Sequence, residues 1–210
     1  MITTLKLYEE IYIRQKQNQK KPGQHNILYL IGSGPELTSK GKLNIPRRNQ
    51  RIYNVLSQFG DNVFYPSLYY RGGDILFYEV QEIIDNEDID ILIGNSAGGL
   101  LSFYLSNKLK IPALSINPAI CSTSEAPRLQ TIPEEAKNAT INGKQLIVIG
   151  EKDAKSIGRG VDGHLTIDML KEMRFEENGG EILILPDTFH RLSSEQFNEV
   201  FVHFYKKFIN

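Results

Sequence analysis

Tryptophan is absent from this sequence, cysteine occurs once and methionine three times. The single cysteine, Cys121, has no partner for an internal disulfide, so the chain holds together without cross-links and a reducing, cytoplasmic setting is expected. Its four histidines and one cysteine show no metal-site spacing, and no metal or other cofactor is expected. No segment approaches the roughly 20 continuous apolar residues that span a bilayer. The first residues, MITTLKLYEE, lack the basic and apolar regions of an export signal, so neither export nor membrane insertion is expected. A dominant charge is missing too. Lys and Arg total 24 against 25 Asp and Glu, a formal net charge of -1, so no global field draws the protein to nucleic acid or anionic lipid. Any partner has to be recognised locally.

What is present suits one globular domain over residues 1–210, with 40% hydrophobic and 23% charged residues. From residue 26 onward short apolar runs alternate with longer amphipathic ones, the pattern of strands joined by crossover helices. Strands are expected at Asn26–Ile31, Asn62–Pro66, Ile89–Gly94, Ala113–Asn117, Gln145–Gly150 and Glu181–Leu185. Helices are expected near Leu43–Gln58, Asp74–Asp85, Gly98–Leu109, Leu165–Glu177 and Ser193–Phe208, the fourth stopped by Gly179-Gly180. The fold class is therefore α/β, a mostly parallel sheet with helices on both faces. Leu5, Leu7, Ile11 and Ile13 share one parity, which favours an N-terminal antiparallel hairpin, followed by a polar loop over residues 15–25. The segment Asn117–Lys144 has no clear period and reads either as a cap over a site or as a long connection.

The run ILIGNSAGGLL, Ile91 to Leu101, places a serine among small residues where a strand gives way to a helix. Gly94, Ser96 and Gly98 match G-x-S-x-G, a turn that projects a serine Oγ above the sheet and leaves no room for side chains at its glycines. The Ala97 backbone N–H then lies at a helix N-terminus, placed to stabilise an oxyanion. The same small residues also suit a plain tight turn between strand and helix. They match neither G-x-G-x-x-G nor the phosphate loop with its Lys-Ser/Thr ending.

A nucleophilic serine needs a base and an orienting acid. His203 lies within the terminal helix, His25 precedes the serine in the chain, and His164 follows the glycine-rich stretch Gly158–Gly163. His190, in the loop LPDTFHRLSS after the last strand, stands where such a base belongs. Asp153, just past the strand Gln145–Gly150, is the preferred acid, with Glu151, Asp162 and Asp187 as rivals. Ser96, Asp153 and His190 fall in the order this arrangement requires, and groups that follow parallel strands gather at one sheet edge.

With these residues the chain resembles the α/β-hydrolase superfamily, a likeness that implies a three-layer sandwich. In LIGSGP, Leu30 to Pro35, the resemblance makes the Ser33 N–H the second oxyanion donor. Ile31 stands where the superfamily usually has a histidine before Gly32, which leaves that backbone donor in place. The compact size, the segment YLIGSGPELTSKGK and the run LSINPAI are similar to small bacterial esterases of the YqiA type. Together the residues and the resemblance imply a serine hydrolase that cleaves a small-molecule ester or thioester through an acyl-enzyme. A non-catalytic binding or scaffold protein on the same fold is the alternative.

Overall fold

Strands covered on both faces need apolar side chains at nearly every position, and runs such as NILYLI and QLIVIG meet that demand. A computed structural model describes residues 25–31, 36–37, 43–44, 47–57, 62–66, 74–118, 132–153 and 165–210. Its main strands are β1 (Asn26–Ile31), β4 (Asn62–Phe64), β5 (Ile91–Asn95), β6 (Ala113–Ile116), β7 (Gln145–Gly150) and β8 (Glu181–Leu185). They form one sheet in the order β4-β1-β5-β6-β7-β8, with every pairing parallel. β1, β5, β6 and β7 are buried along their whole lengths, whereas β8 lies at an edge and leaves Ile184 47% exposed.

Alternation along the strands sorts the core into two faces. Ile27, Tyr29, Ile91, Ile93, Leu146 and Val148 face helices α1 (Arg47–Ser57) and α6 (Ser194–Phe208), meeting Ile52, Leu56, Phe197, Phe201 and Phe204. Leu28, Leu30 and Leu92 face α2 (Asp74–Asn86) and α3 (Ala97–Leu109). Farther along that second face, Ile147 and Ile149 pack with Phe103 of α3 and with Leu170 of α5 (Ile167–Glu172). The result is the expected three-layer α/β sandwich. Among the described residues no helix is long and apolar enough to cross a membrane.

Three strands match the sequence expectation and the others shift at their ends. Two helices differ more. Leu43–Asn44 forms a short strand, β3, antiparallel to β2 (Glu36–Leu37), and α1 begins only after Pro46, a residue that disfavours helical backbone before it. α5 is shorter than Leu165–Glu177. Arg174 takes a positive φ of 52°, and the reversal buries Phe175 against Phe103 instead of continuing the helix. Thr166 caps the start of α5 by accepting the Met169 N–H at 3.1 Å. A one-turn helix, α4 (Glu134–Lys137), lies within the segment that lacked a period. The expected N-terminal hairpin falls outside the described residues.

The sheet order places the site. From β1 the chain runs outward to β4, then returns to β5 on the other side of β1. The helix after β1 covers one face and the helix after β5 covers the other, so β1 and β5 flank the switch point at whose carboxyl edge the sites of such sheets form. Closing the sheet against α3 there demands glycine. A Cβ on Gly98 would lie 2.2 Å from the Leu30 carbonyl oxygen of β1, and one on Gly94 would lie 2.1 Å from the Gly98 carbonyl oxygen. Neither neighbour is a flexible side chain that can step aside. Gly98→Ala is therefore expected to destabilise the protein by about 1–3 kcal/mol or more, read as a lower midpoint in urea unfolding. A wild-type midpoint would mean that α3 and β1 are not in this close contact.

Candidate active site

Ser96 stands between β5 and α3, where the chain must turn sharply without losing its hydrogen bonds. Its N–H donates to the Ile116 carbonyl of β6 at 2.9 Å, and its own carbonyl accepts the Leu100 N–H at 3.0 Å, the first bond of α3. The turn leaves Ser96 at φ 57° and ψ -124°, a combination that L residues rarely adopt. Such strain persists only where surrounding contacts enforce it, and here the enforcing contacts are the glycine approaches at positions 94 and 98. Ala97 opens α3, so its N–H belongs to the first turn, which has no acceptor within the helix. Ser96 is 8% exposed, and among the described residues its Oγ makes no hydrogen bond.

β7 and β8 end at the same edge, with Gly150 opposite Leu185. Beyond Gly150 the chain turns helical over residues 151–153, and beyond Leu185 it folds back across that turn. The Thr188 carbonyl accepts the Lys152 N–H at 2.9 Å. Only glycine permits this crossing at 150, since a Cβ would meet the Thr188 and Phe189 carbonyl oxygens at 2.5 Å each. From the other end the loop is anchored by α6, whose capping box joins Ser193 and Gln196. Gln196 also donates to the buried Thr188 hydroxyl at 2.9 Å.

The crossing brings His190 to Asp153. Its Nδ1 lies 2.7 Å from Asp153 Oδ2, with the carboxylate 13% and the imidazole 32% exposed. Against an ionised carboxylate a neutral imidazole carries its proton on Nδ1, which leaves Nε2 as the acceptor. The rival acids take other partners. Glu151 accepts the Asp187 N–H at 3.3 Å, and Asp187 pairs with Lys152 at 3.2 Å. The Lys152 ammonium also lies 5.0 Å from the ring of the exposed Phe189. His203 is committed to Glu181 at 2.9 Å. Burial of Glu181 raises its pKa, but the hydrogen bonds from His203 and Lys207 outweigh that and hold it below the ordinary value. His25 lies beside Asp90, 3.7 Å away, at the amino ends of the strands. Ser33, Asp162 and His164 fall outside the described residues. Among those that are described, no three His, Cys, Asp or Glu side chains converge as metal ligands.

One participant in this architecture was read from the sequence as the end of a strand and the start of an aperiodic segment, not as a site residue. Asn117 is 3% exposed and takes a positive φ of 42°. Its Oδ1 accepts the Gly150 N–H at 2.8 Å, and its Nδ2 donates to the carbonyls of His190 at 2.8 Å and Phe189 at 3.5 Å. The signal in the sequence was the Asn117-Pro118 dipeptide, which marks a turn and not a strand residue.

No protein-family model matches the chain, and no curated protein sequence matches it. Solved structures do. Est1E from Butyrivibrio proteoclasticus is 14% identical and superposes with a TM-score of 0.58, covering 92% of each chain. MGS-MChE2, an α/β hydrolase enzyme from the sediment metagenome of the Mar Chica lagoon in Morocco, is 15% identical with a TM-score of 0.59, over 91% of this chain and 97% of that one. SOBER1 from Arabidopsis thaliana is 16% identical with a TM-score of 0.55, over 90% of this chain and all of its own.

The packing at Gly150 yields a direct check. Gly150→Ala is expected to push the 188–189 segment off β7, at a cost of about 1–3 kcal/mol in denaturant unfolding, and to separate His190 from Asp153 in a crystal structure of the variant. An unshifted loop and unchanged stability would contradict the crossing described above.

Proposed function

On the α/β-hydrolase fold that this chain shares with those enzymes, we propose a serine hydrolase acting on a carboxylic ester or thioester of a small molecule. The observation that carries this reading is the arrangement at one sheet edge of a strained serine and a histidine held by a carboxylate. Ser96 Oγ attacks the acyl carbon while His190 Nε2 accepts its proton, and Asp153 stabilises the imidazolium that forms. The oxyanion is held by the Ala97 N–H, with the Ser33 N–H as the second donor, each lowering the barrier by about 3 kcal/mol. The tetrahedral intermediate collapses and expels an alcohol or thiol, which takes the proton from His190. Water, deprotonated by the same imidazole, then releases the acid and regenerates Ser96.

A fluorophosphonate probe tests this reading. Stoichiometric labelling is expected for the wild type, retained in Cys121→Ala and lost in Ser96→Ala. Absence of labelling in the wild type would favour a binding or scaffold protein on the same fold. With a test ester as substrate, Asp153→Asn is expected to keep the fold and lower kcat on the order of 10³- to 10⁴-fold. A nearly silent Asp153→Asn beside an inactive Glu151→Gln would reassign the acid. A folded Ser33→Pro variant should lose about a hundredfold or more in kcat through the missing donor, and parental turnover would remove Ser33 from the mechanism.

A further inference from the structure

Two consecutive residues at the end of β6 hold both halves of this machinery. The Ile116 carbonyl receives the Ser96 N–H, and the Asn117 side chain reaches across β7 to the loop of His190. We propose that Asn117 is a positioning residue for the His190–Asp153 pair, an inference that rests on the serine-hydrolase reading.

The orientation of the amide follows from its partners. Gly150 offers an N–H, so the oxygen must face it, and Phe189 and His190 offer carbonyls, so the nitrogen must face them. A flipped amide would oppose like groups on both sides. Among the described residues no other hydrogen bond reaches the main chain of Phe189 or His190. The loop is fixed upstream at Thr188 and downstream by the buried Leu192 and by Ser193, so between those anchors the amide of Asn117 is what holds the main chain of His190, whose imidazole is bound by Asp153. Its second contact, Gly150, immediately precedes the helical turn that carries Asp153. One side chain thus fixes the histidine relative to the strand end from which its acid projects.

Two separate demands select asparagine here. A positive φ at a non-glycine position is tolerated best by Asn and Asp. Of these, only Asn supplies both a donor and an acceptor at neutral pH. The parallel ladder between β6 and β7, from Ala113↔Gln145 to Ile116↔Val148, does not involve the amide and stays when it is removed. Loss of the amide is therefore expected to act on the chemical step, through the aim of the imidazole, more than on substrate binding or on the fold.

The experiment compares Asn117→Asp and Asn117→Gly, each alone and combined with His190→Ala, against wild type and His190→Ala. It measures the rate constant for fluorophosphonate labelling of Ser96, kcat and KM for a test ester, and the fold by circular dichroism. Both backbones tolerate the positive φ, and Asp keeps the acceptor for Gly150 while turning a carboxylate toward the His190 carbonyl. Each single variant is expected to stay folded, to lose roughly tenfold or more in labelling rate and kcat with KM little changed, and to cost nothing further when His190 is already absent. Wild-type labelling in Asn117→Asp would overturn the inference, reducing the amide to a bracket between strands. So would a loss that persists in the His190→Ala background, or unfolding of both single variants. A wild type that does not label, or that labels as fast without His190, would refute the hydrolase reading and the inference with it. A labelled, His190-dependent wild type with silent Asn117 variants would refute the inference alone.

Discussion

The close approach of α3 to the centre of the sheet is the constraint on which the site depends. With no Cβ at 98, the helix backbone rests on the Leu30 carbonyl of β1, and with none at 94 the first turn of the helix folds over the strand it leaves. That approach compresses the link between strand and helix into Ser96 alone, which absorbs the compression as an unusual backbone conformation. Gly99 continues the theme, since a Cβ there would lie 2.9 Å from the Ile116 carbonyl oxygen at the end of β6. The three glycines thus seat one helix against three strand ends, and a serine hydroxyl is the group left at their meeting point.

The histidine side is held by different means. No helix presses on it; a loop crosses a strand end and is stitched down through main-chain carbonyls at Thr188, Phe189 and His190. Hydrogen bonds of this kind are directional and individually modest, so between Thr188 and the buried Leu192 the loop's position depends on a few partners. The two halves of the site meet at Ile116 and Asn117, whose backbone and side chain serve one half each.

Much of this was written in local patterns. Strands buried on both faces announce themselves as uninterrupted apolar runs, and Asn26–Ile31 and Gln145–Gly150 have the same bounds in the structure as in the reading of the sequence, as does the edge strand Glu181–Leu185. The elbow is legible because its constraint falls on adjacent residues. The pairing of His190 with Asp153 was reached only through strand order, because the two are 37 positions apart. What stayed hidden is what long-range packing decides. The end of α5 depends on Phe175 finding Phe103, and the start of α1 on Leu43 and Asn44 pairing with Leu37 and Glu36. Asn117 belongs to the same class: its partners at 150, 189 and 190 are distant in the chain, and an asparagine at a strand end looks like any other turn residue until they are in place.

Stitching a loop by its backbone has an evolutionary corollary. Phe189 lends its carbonyl to the scaffold while the residue stands 65% exposed, its ring beside the Lys152 cation. Replacing that ring changes the wall beside His190 without removing any bond that places the imidazole. Position 189 is thus open to drift, even though both of its sequence neighbours are fixed by side chains that bind within the protein.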